Sequence, residues 1–345
     1  MFDVPTIMTP EEILNKAFSR ANKIQVRDPN FRFRMQKLNM RKLSSASSTI
    51  DAVLERYVKA FPSFNNIPPF YMALIDLMFS LDQIKRSLGR IDGARKEILR
   101  ISSKTARQIQ RTSKPDYMAL KLREGYGRIS SLVYDLEKDL DFLSEVREGF
   151  KKLPSIPTKY PTAVIAGFPN VGKSRIIKEL STATPKVASY PFTTQELNVG
   201  YFEEGRTRYQ LVDTPGLLDR PFEERNDIEK QGILALTLLT NVCVFVIDPT
   251  EHCGFPLKPQ MELLQDLKKS VPNMDFIIVI NKIDLDPPSA SNSSLLDGEM
   301  KRHGRRILSV VRTSAMDGTG LDRLKEEVVG SLHVDEEIPW ETPDP

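Results

Sequence analysis

The chain has 345 residues, of which 40% are hydrophobic and 28% are charged, and its formal net charge is +3. This length predicts about two domains, and the apolar content excludes wholesale disorder. No apolar run reaches the ~20 residues of a membrane-spanning helix, no basic N-terminal segment typical of a signal peptide is present, and the two cysteines, Cys243 and Cys253, favour a reducing, cytoplasmic compartment.

The net charge conceals an asymmetry along the chain. Residues 1–152 carry 28 Lys and Arg against 18 Asp and Glu, whereas the remaining residues carry 21 against 28. A basic half joined to an acidic half predicts that the first half binds a polyanion.

The first half has a helical pattern. Thr9, Pro10 and Glu12 provide the N-cap, the first-turn proline and the capping box of a helix. Apolar residues then recur at helical spacing as far as Leu143, and strand-like alternation is nearly absent. We expect residues 1–152 to form a basic helical bundle whose longest helices are antiparallel.

A basic stretch at 20–42 is the candidate surface for that polyanion. Phe31 and Phe33 lie within it and can stack on unpaired bases, but we expect both rings in the helical core. The alternative for the basic side chains is a solvated helix face without a partner. The stretch contains eight Lys and Arg side chains that can neutralise phosphates, against a single acid, Asp28. They are Arg20, Lys23, Arg27, Arg32, Arg34, Lys37, Arg41 and Lys42.

A proline-rich segment separates the two halves. Three prolines preclude a helix at 153–161 and predict an extended linker. In 162–333, five short apolar runs alternate with helical stretches, and this order predicts a parallel sheet flanked by helices. The acidic, proline-rich tail at 334–345 is expected to be disordered.

A phosphate-binding motif follows the first apolar run. Residues 167–174 read GFPNVGKS, which matches G-x-x-x-x-G-K-S between a predicted strand and a predicted helix. The glycines allow backbone N–H groups to face phosphates, and the helix dipole adds to the attraction. We expect Lys173 to reach the β- and γ-phosphates and Ser174 to ligate Mg²⁺. The residues expected around the phosphates are Gly167, Phe168, Pro169, Asn170, Val171, Gly172, Lys173, Ser174 and Arg175.

Two later segments complete the predicted metal–phosphate site. Asp213 ends the run YQLVD and is expected to hold Mg²⁺ through a water molecule. Gly216, in DTPG, allows its N–H to meet a γ-phosphate. Between these motifs, VASYPFTTQE offers Thr193 and Thr194, and we favour Thr194 as the hydroxyl ligand of Mg²⁺.

The base is predicted from the motif NKID. Asp284 can accept hydrogen bonds from N1–H and the exocyclic amine of guanine, which adenine cannot supply, so the nucleotide is GTP or GDP. Asn281 can brace a neighbouring loop, and the stem of Lys282 can cover the base. In TSA, beside Ser314, the N–H of Ala315 can face guanine O6. The predicted fold class is α + α/β, with an N-terminal helical bundle followed by a P-loop GTPase (Ras-like) domain whose sheet is mostly parallel.

Six segments of the second half resemble the nucleolar GTP-binding protein 1 family of Obg-like GTPases: GFPNVGKS, YPFTT, DTPGLLDRP, EERNDIEKQGILAL, DPTEHCG and NKIDL. The likeness covers the whole predicted GTPase domain, and the basic helical domain agrees with it. The resemblance implies a compact, archaeal-type, cytoplasmic GTPase that binds the precursor of the large ribosomal subunit and acts as a switch in its assembly. The helical domain is expected to contact ribosomal RNA. The departures are the lack of a long C-terminal extension and Arg175, where such loops usually carry Ser or Thr.

The residues expected to act in hydrolysis are Lys173, Thr194, Gly216 and Asn170. Leu217 stands where many nucleotide hydrolases place a water-orienting glutamine, so slow intrinsic hydrolysis is expected. Asn170 resembles the asparagine with which many glutamine-lacking GTPases hold K⁺ at the phosphates. Alternatively, Asn170 only shapes the loop, or the ribosomal particle supplies the missing group.

Two other functions are compatible with the same motifs. One is an Obg-like translation or stress regulator that acts on mature ribosomes. The other is an RNA-binding scaffold that uses GTP structurally and hardly hydrolyses it.

Overall fold

The computed structural model describes residues 3–188, 190–191, 196–215, 218–219, 224–240, 242–285, 289–301 and 306–332. The chain forms two compact units, one of Met1–Ile67 with Met78–Lys151 and one of Pro68–Leu77 with Lys152–Pro345. The first unit therefore ends at Lys151, one residue before the predicted end of the first domain at residue 152. The internal segment Pro68–Leu77 is assigned to the second unit.

Helices account for the regular structure described in the first unit. They are α1 (Pro10–Asn22), α2 (Phe31–Ala60), the C-terminal end of α3 (Pro69–Phe79), α4 (Leu81–Gln110), α5 (Pro115–Tyr134) and α6 (Glu137–Phe150), with a 3-10 turn at Phe64–Asn66. Helices α2 and α4 pack along each other, and α5 packs against both. Their fully buried side chains include Leu43, Ile50, Ile91, Ile98 and Ile129. The predicted helical domain is confirmed.

The start of α1 follows the sequence closely. The N–H of Glu12 donates to Thr9 Oγ1, and the carboxylate of Glu12 accepts the N–H of Thr9. Pro10 occupies the first turn. The predicted capping box is therefore confirmed, and it satisfies N–H groups that a helix leaves without intrahelical partners.

The second unit contains a seven-stranded sheet in the order β2-β3-β4-β1-β5-β6-β7. The pairs of β1 with β4 and β5, of β5 with β6 and of β6 with β7 are parallel, whereas β3 pairs antiparallel with both β2 and β4. The strands are β1 (Thr162–Ala166), β2 (Lys186–Ala188), β3 (Leu197–Glu204), β4 (Thr207–Asp213), β5 (Val242–Ile247), β6 (Asp275–Ile280) and β7 (Ile307–Arg312).

The remaining helices alternate with these strands. They are α7 (Lys173–Leu180), α8 (Asp227–Leu236), α9 (Leu257–Ser270), α10 (Ala290–Lys301) and α11 (Leu321–Ser331). The central strands β1 and β5 are buried along their whole length. This confirms the predicted α/β fold, and it brings the carboxyl ends of the parallel strands to one edge of the sheet, where phosphate ligands bind in such folds.

The segment predicted as a linker is held by buried hydrogen bonds within the second unit. The hydroxyl of Tyr71 lies 2.9 Å from the carbonyl oxygen of Pro154 and 2.6 Å from that of Ile156, and it accepts the N–H of Ile156 at 3.0 Å. Gln210 Nε2 donates to the carbonyl of Pro157 at 3.0 Å. Burial raises the pKa of Tyr71 to about 12. These bonds explain why Pro68–Leu77 belongs to the second unit.

Candidate functional sites

The phosphate loop connects the end of β1 to the start of α7, and its two glycines have no room for a side chain. Gly167 has φ +131°, and a Cβ there would lie 2.3 Å from the carbonyl oxygen of Val246. Gly172 has φ +111°, and a Cβ there would lie 2.2 Å from Asn281 Nδ2. Since both contacts are shorter than any packing allows, the loop requires glycine at these positions for its shape.

Lys173 is the buried cation of this loop. Its side chain is 8% exposed, and Nζ donates to the carbonyls of Gly167 and Phe168 at 2.7 and 2.8 Å. Burial lowers the pKa of Lys173, and the nearby carboxylates of Asp213 and Asp219 oppose that effect. The ammonium group therefore already lies inside the loop that is expected to surround the phosphates.

Ser174 and Asp213 form the candidate metal site. Ser174 Oγ donates to Asp213 Oδ2 at 2.6 Å, and Asp213 is 1% exposed. The other oxygen, Oδ1, is buried and has no hydrogen-bond partner among the residues that the structure describes. A hydroxyl and a buried carboxylate with one oxygen left over are the hard oxygen donors that Mg²⁺ prefers, so the residues present suit that ion.

The residues around DTPG are tied to β1 and to the phosphate loop. Thr214 Oγ1 donates to the carbonyl of Ile165 at 3.1 Å, and the N–H of Gly167 donates to the carbonyl of Leu218 at 3.1 Å. These bonds place Thr214 beside β1 and the backbone of Leu218 beside the phosphate loop. The predictions for Thr193, Thr194, Gly216 and Leu217 fall outside the described residues.

The other loop residues differ in exposure and in partners. Asn170 is exposed and has φ +61°. Asparagine adopts this left-handed conformation more readily than most residues, so the geometry is compatible with a role of Asn170 in shaping the loop. Pro169 is exposed and Val171 is fully buried, while the ring of Phe168 packs 5.0 Å from that of Phe255, measured between centroids.

The side chain of Arg175 forms an ion pair along α7. Its Nε lies 2.8 Å from Glu179 Oε1, one turn further along α7. The side chain is 47% exposed, so this pair is a solvated surface interaction of small energy. The phosphate contact that the sequence predicts for Arg175 is one through its backbone N–H, not through its side chain.

Asn281 joins three loops of the candidate site. Its side chain is 2% exposed, and Nδ2 donates to the carbonyl of Val171 in the phosphate loop at 2.8 Å. Its Oδ1 accepts hydrogen bonds from Thr313 Oγ1 and from the N–H of Ala315, both at 3.1 Å. The bracing role predicted for Asn281 thus has a defined geometry. The N–H of Ala315 already has an acceptor here, so guanine O6 must share or replace it.

Lys282 is held by an acid that sequence analysis did not single out. Lys282 has φ +62°, and its Nζ lies 2.7 Å from Oδ2 of the fully buried Asp248, at the end of β5. Asp248 also accepts the N–H and hydroxyl of Thr250 and the N–H of Cys253. Burial opposes ionisation of Asp248, yet these bonds and the charge of Lys282 together hold its pKa below the usual value of 3.8. The available signal was an acid directly after a buried strand.

Asp284 and Ser314 lie in the two loops expected around the base. The side chain of Asp284 is exposed, which leaves its carboxylate open to a ligand. Ser314 is fully buried, and its backbone N–H and carbonyl bond to Thr319 and Gly318. The loop that carries Ala315 is therefore fixed by its own turn as well as by Asn281.

Two family models match successive parts of the chain. A model described as the NOG1 N-terminal helical domain matches residues 2–157, and one described as a 50S ribosome-binding GTPase matches residues 162–282. The uncharacterized protein MJ1408 of Methanocaldococcus jannaschii is 36% identical over 82% of this chain and 80% of its own length. The chain belongs to the nucleolar GTP-binding protein 1 family. This is a family of GTP-binding proteins with a GTPase domain.

Members of this family differ in length. The nucleolar GTP-binding protein 1 of Saccharomyces cerevisiae is 32% identical over 83% of this chain, but the match spans only 45% of that protein. A crystal structure assigned to nucleolar GTP-binding protein 1 of Plasmodium falciparum, 35% identical, covers 52% of this chain and 91% of that one, with a TM-score of 0.46. The chain thus spans less than half the length of the yeast protein.

The basic stretch of the family's helical domain runs from the end of α1 into α2. Most of its Lys and Arg are exposed, and only Lys42 is half-buried. Asp28 accepts the ammonium of Lys37 at 2.7 Å. Phe31 and Phe33 are 56% and 47% exposed, so the expectation that both rings lie in the core is wrong. They occupy the first turn of α2, ahead of its first buried residue, Asn39.

Two further observations concern metals and membranes. Within the described ranges, no group of three or more His, Cys, Asp and Glu side chains is arranged to hold a metal ion. No helix in those ranges is both long enough and apolar enough to cross a bilayer.

Proposed function

We propose that this chain binds GTP and GDP together with Mg²⁺ and hydrolyses GTP. The observation that carries the proposal is Asn281, which joins the phosphate loop to the TSA loop and precedes the exposed Asp284. Because these hydrogen bonds connect the two loops, they support a single site for phosphate binding and base selection. Calorimetry with GDP and ADP tests it, and equal affinity for the two nucleotides would refute the proposal.

In the proposed site, Lys173 and the backbone N–H groups of residues 167–175 bind the phosphates. The ammonium exchanges its two loop carbonyls for phosphate oxygens, which gives charge-assisted hydrogen bonds in a buried setting. Ser174 and Thr194 would hold Mg²⁺ directly, and Asp213 would hold it through water. The ion, when bound, neutralises charge on the β- and γ-phosphates.

Base selection rests on Asp284, with Lys282 beside it. The carboxylate of Asp284 accepts two guanine donors, and adenine would leave it without them. The ion pair with Asp248 fixes the Lys282 ammonium, so that the aliphatic stem of Lys282 is presented to the base while its charge is compensated. Ser314 supports the turn whose backbone at Ala315 faces O6.

Hydrolysis is proposed to be slow in the free protein, because Leu217 cannot orient water. Gly216 offers an N–H to the γ-phosphate, and Asn170 is the candidate group for a K⁺ ion that stabilises charge there. We expect faster turnover in K⁺ than in Na⁺, and faster turnover again with precursors of the large ribosomal subunit. If neither variable changes the steady-state rate, this account of hydrolysis is wrong.

The helical unit is proposed to bind ribosomal RNA in the precursor of the large subunit, so that the GTPase acts as a switch in its assembly. The support is the exposed basic stretch, together with the names of the matched family models and of the relatives. Charge reversal of Arg32, Arg34 and Arg41 is expected to weaken ribosome association and to flatten its salt dependence. Co-sedimentation with precursors rather than with mature subunits is the result expected for an assembly role.

A further inference from the structure

The first four residues of α2, Phe31, Arg32, Phe33 and Arg34, surround the first turn of the helix, and we name the exposed region around this turn the α2 start surface. All four side chains are exposed. The guanidinium carbon of Arg34 lies 5.4 Å from the centroid of the Phe31 ring, and that of Arg32 lies 5.8 Å from the centroid of Phe33. Each ring therefore has a guanidinium group at a distance that allows a cation–π interaction.

Two exposed phenyl rings in one helical turn are unusual for a residue type that is most often buried. The helix does not need them for its start, because Asn30 caps it by accepting the N–H of Phe33. The first buried residue of α2 is Asn39. The rings thus contribute little to the helical core, and a binding role explains their exposure better than packing does.

The positive charge around the rings indicates which class of partner this surface binds. The first turn of α2 contains no acid, and the acid nearest to it along the chain, Asp28, is already bonded to Lys37 and to the N–H of Asn30. Arg27 and Arg41 add further exposed positive charge to the same stretch. A polyanion that also offers flat aromatic faces matches this combination, and RNA with unpaired bases offers both. A-form duplex RNA offers the phosphates but keeps its bases stacked.

We propose that the α2 start surface binds unpaired nucleotides of RNA, with Phe31 and Phe33 stacked on bases and Arg32 and Arg34 at phosphates. This inference rests on the proposed RNA-binding role of the helical unit, and it adds the class of RNA that is recognised. Stacking on a ring is largely independent of base identity. The surface therefore prefers single-stranded segments, loops or bulges without a fixed sequence.

The test uses the full chain in Mg²⁺ and GDP, with fluorescently labelled RNA of mixed sequence in unpaired and duplex forms of equal length. The double variant Phe31→Leu/Phe33→Leu keeps the charge and the apolar character but removes both rings. We expect it to weaken binding of unpaired RNA about tenfold or more, with the salt dependence unchanged and duplex binding unaffected. The variant Phe31→Tyr/Phe33→Tyr retains rings and is expected to bind like the wild type.

The matched control is Tyr134→Leu, which removes a ring that is 51% exposed elsewhere in the same unit. It is expected to leave RNA binding unchanged. Equal affinity of the double leucine variant and the wild type for unpaired RNA overturns the inference while the proposed function stands. If the wild-type chain binds neither form of RNA, both are overturned. Ring-dependent binding to anionic phospholipid vesicles, without ring-dependent RNA binding, assigns the surface to a membrane instead.

Discussion

The two units of this chain differ in the burial and pairing of their candidate functional groups. In the GTPase unit, Lys173, Asp213, Asp248 and Asn281 are each less than a tenth exposed, and each has a partner at 2.6 to 2.8 Å. In the helical unit, the basic side chains of 20–42 are mostly exposed, and the pair of Lys37 with Asp28 links neighbours on the surface.

This difference predicts how each region responds to substitution. A buried polar group that loses its partner keeps its desolvation penalty, so single changes in the GTPase unit have large effects that do not add. Exposed charges act through a summed field that water and salt screen, so single changes in the helical unit have small, nearly additive effects.

The largest effect is expected from Lys173→Ala, which removes the buried cation of the phosphate loop. Affinity for GTP and GDP should fall by at least about 100-fold, because several charge-assisted hydrogen bonds to phosphate are lost. Calorimetry measures the affinity, and thermal unfolding checks that the variant folds. Lys178→Ala, on the exposed side of α7, serves as the control and should bind normally. Similar losses in both variants would contradict the role of Lys173.

Asp284→Asn tests a group of the GTPase unit that is exposed. Its carboxylate is expected to select guanine through two hydrogen bonds, so GDP affinity should fall about 100-fold while affinity for xanthosine diphosphate rises. Competition binding with the two diphosphates gives both numbers. The exposed Asp322→Asn in α11 controls for the charge change. Unaltered preference for GDP would show that base selection lies elsewhere.

An intermediate effect is expected from Asp248→Asn, which leaves Lys282 without its buried partner. Stability should fall by about 3 kcal/mol, the size typical of breaking a buried pair, and GDP affinity should fall about tenfold as Lys282 loses its position. The folded-state pKa of Asp248 is lowered from 3.8, so its stabilisation is present above that pH and is lost as pH falls through the lower folded value.

Urea unfolding at neutral pH and near pH 3 measures this contribution. The gap in stability between wild type and Asp248→Asn should narrow at the lower pH. The exposed Glu262→Gln in α9 is the control and should show no such dependence. A constant gap across this range would mean that the charge of Asp248 contributes nothing.

The smallest effect is expected from Arg27→Gln in the helical unit. RNA affinity should fall only about twofold to threefold, with stability changed by less than about 0.5 kcal/mol, since one exposed charge is removed. The slope of log affinity against log salt should decrease in magnitude by about 0.7 if one phosphate contact is lost. Lys59→Gln, at the other end of α2, is the control. A loss as large as that of Lys173→Ala would break the contrast between the units.

Much of the nucleotide site could be predicted from the sequence, because each motif directly follows a buried apolar strand. Parallel strands end at one edge of the sheet, so Lys173, Asp213 and Asn281 had to lie near one another. The antiparallel strands β2 and β3 were not identified. β2 is a three-residue edge strand with almost no sequence signal, and no local pattern specifies that the eight-residue β3 pairs antiparallel with β2 and β4. Asp248 also directly follows a buried strand, but its contact with Lys282 joins positions in different loops, which no local motif specifies.

The error at Phe31 and Phe33 has a different cause. Hydrophobicity favours burial, but two residues spaced by two positions on a helix point in different directions and cannot both face one core. Only the packing of α2 shows that its first buried residue is Asn39.

The sequence by itself determined the family, the two-part fold and the residue types available for phosphate, metal and base, since these depend on local patterns and on the order of motifs. The tertiary structure alone decided which polar groups are buried and with which partner, such as Asn281 across three loops. It also decided which rings stay in solvent. Burial and pairing arise from contacts between residues that are far apart in the chain, and no local pattern specifies them.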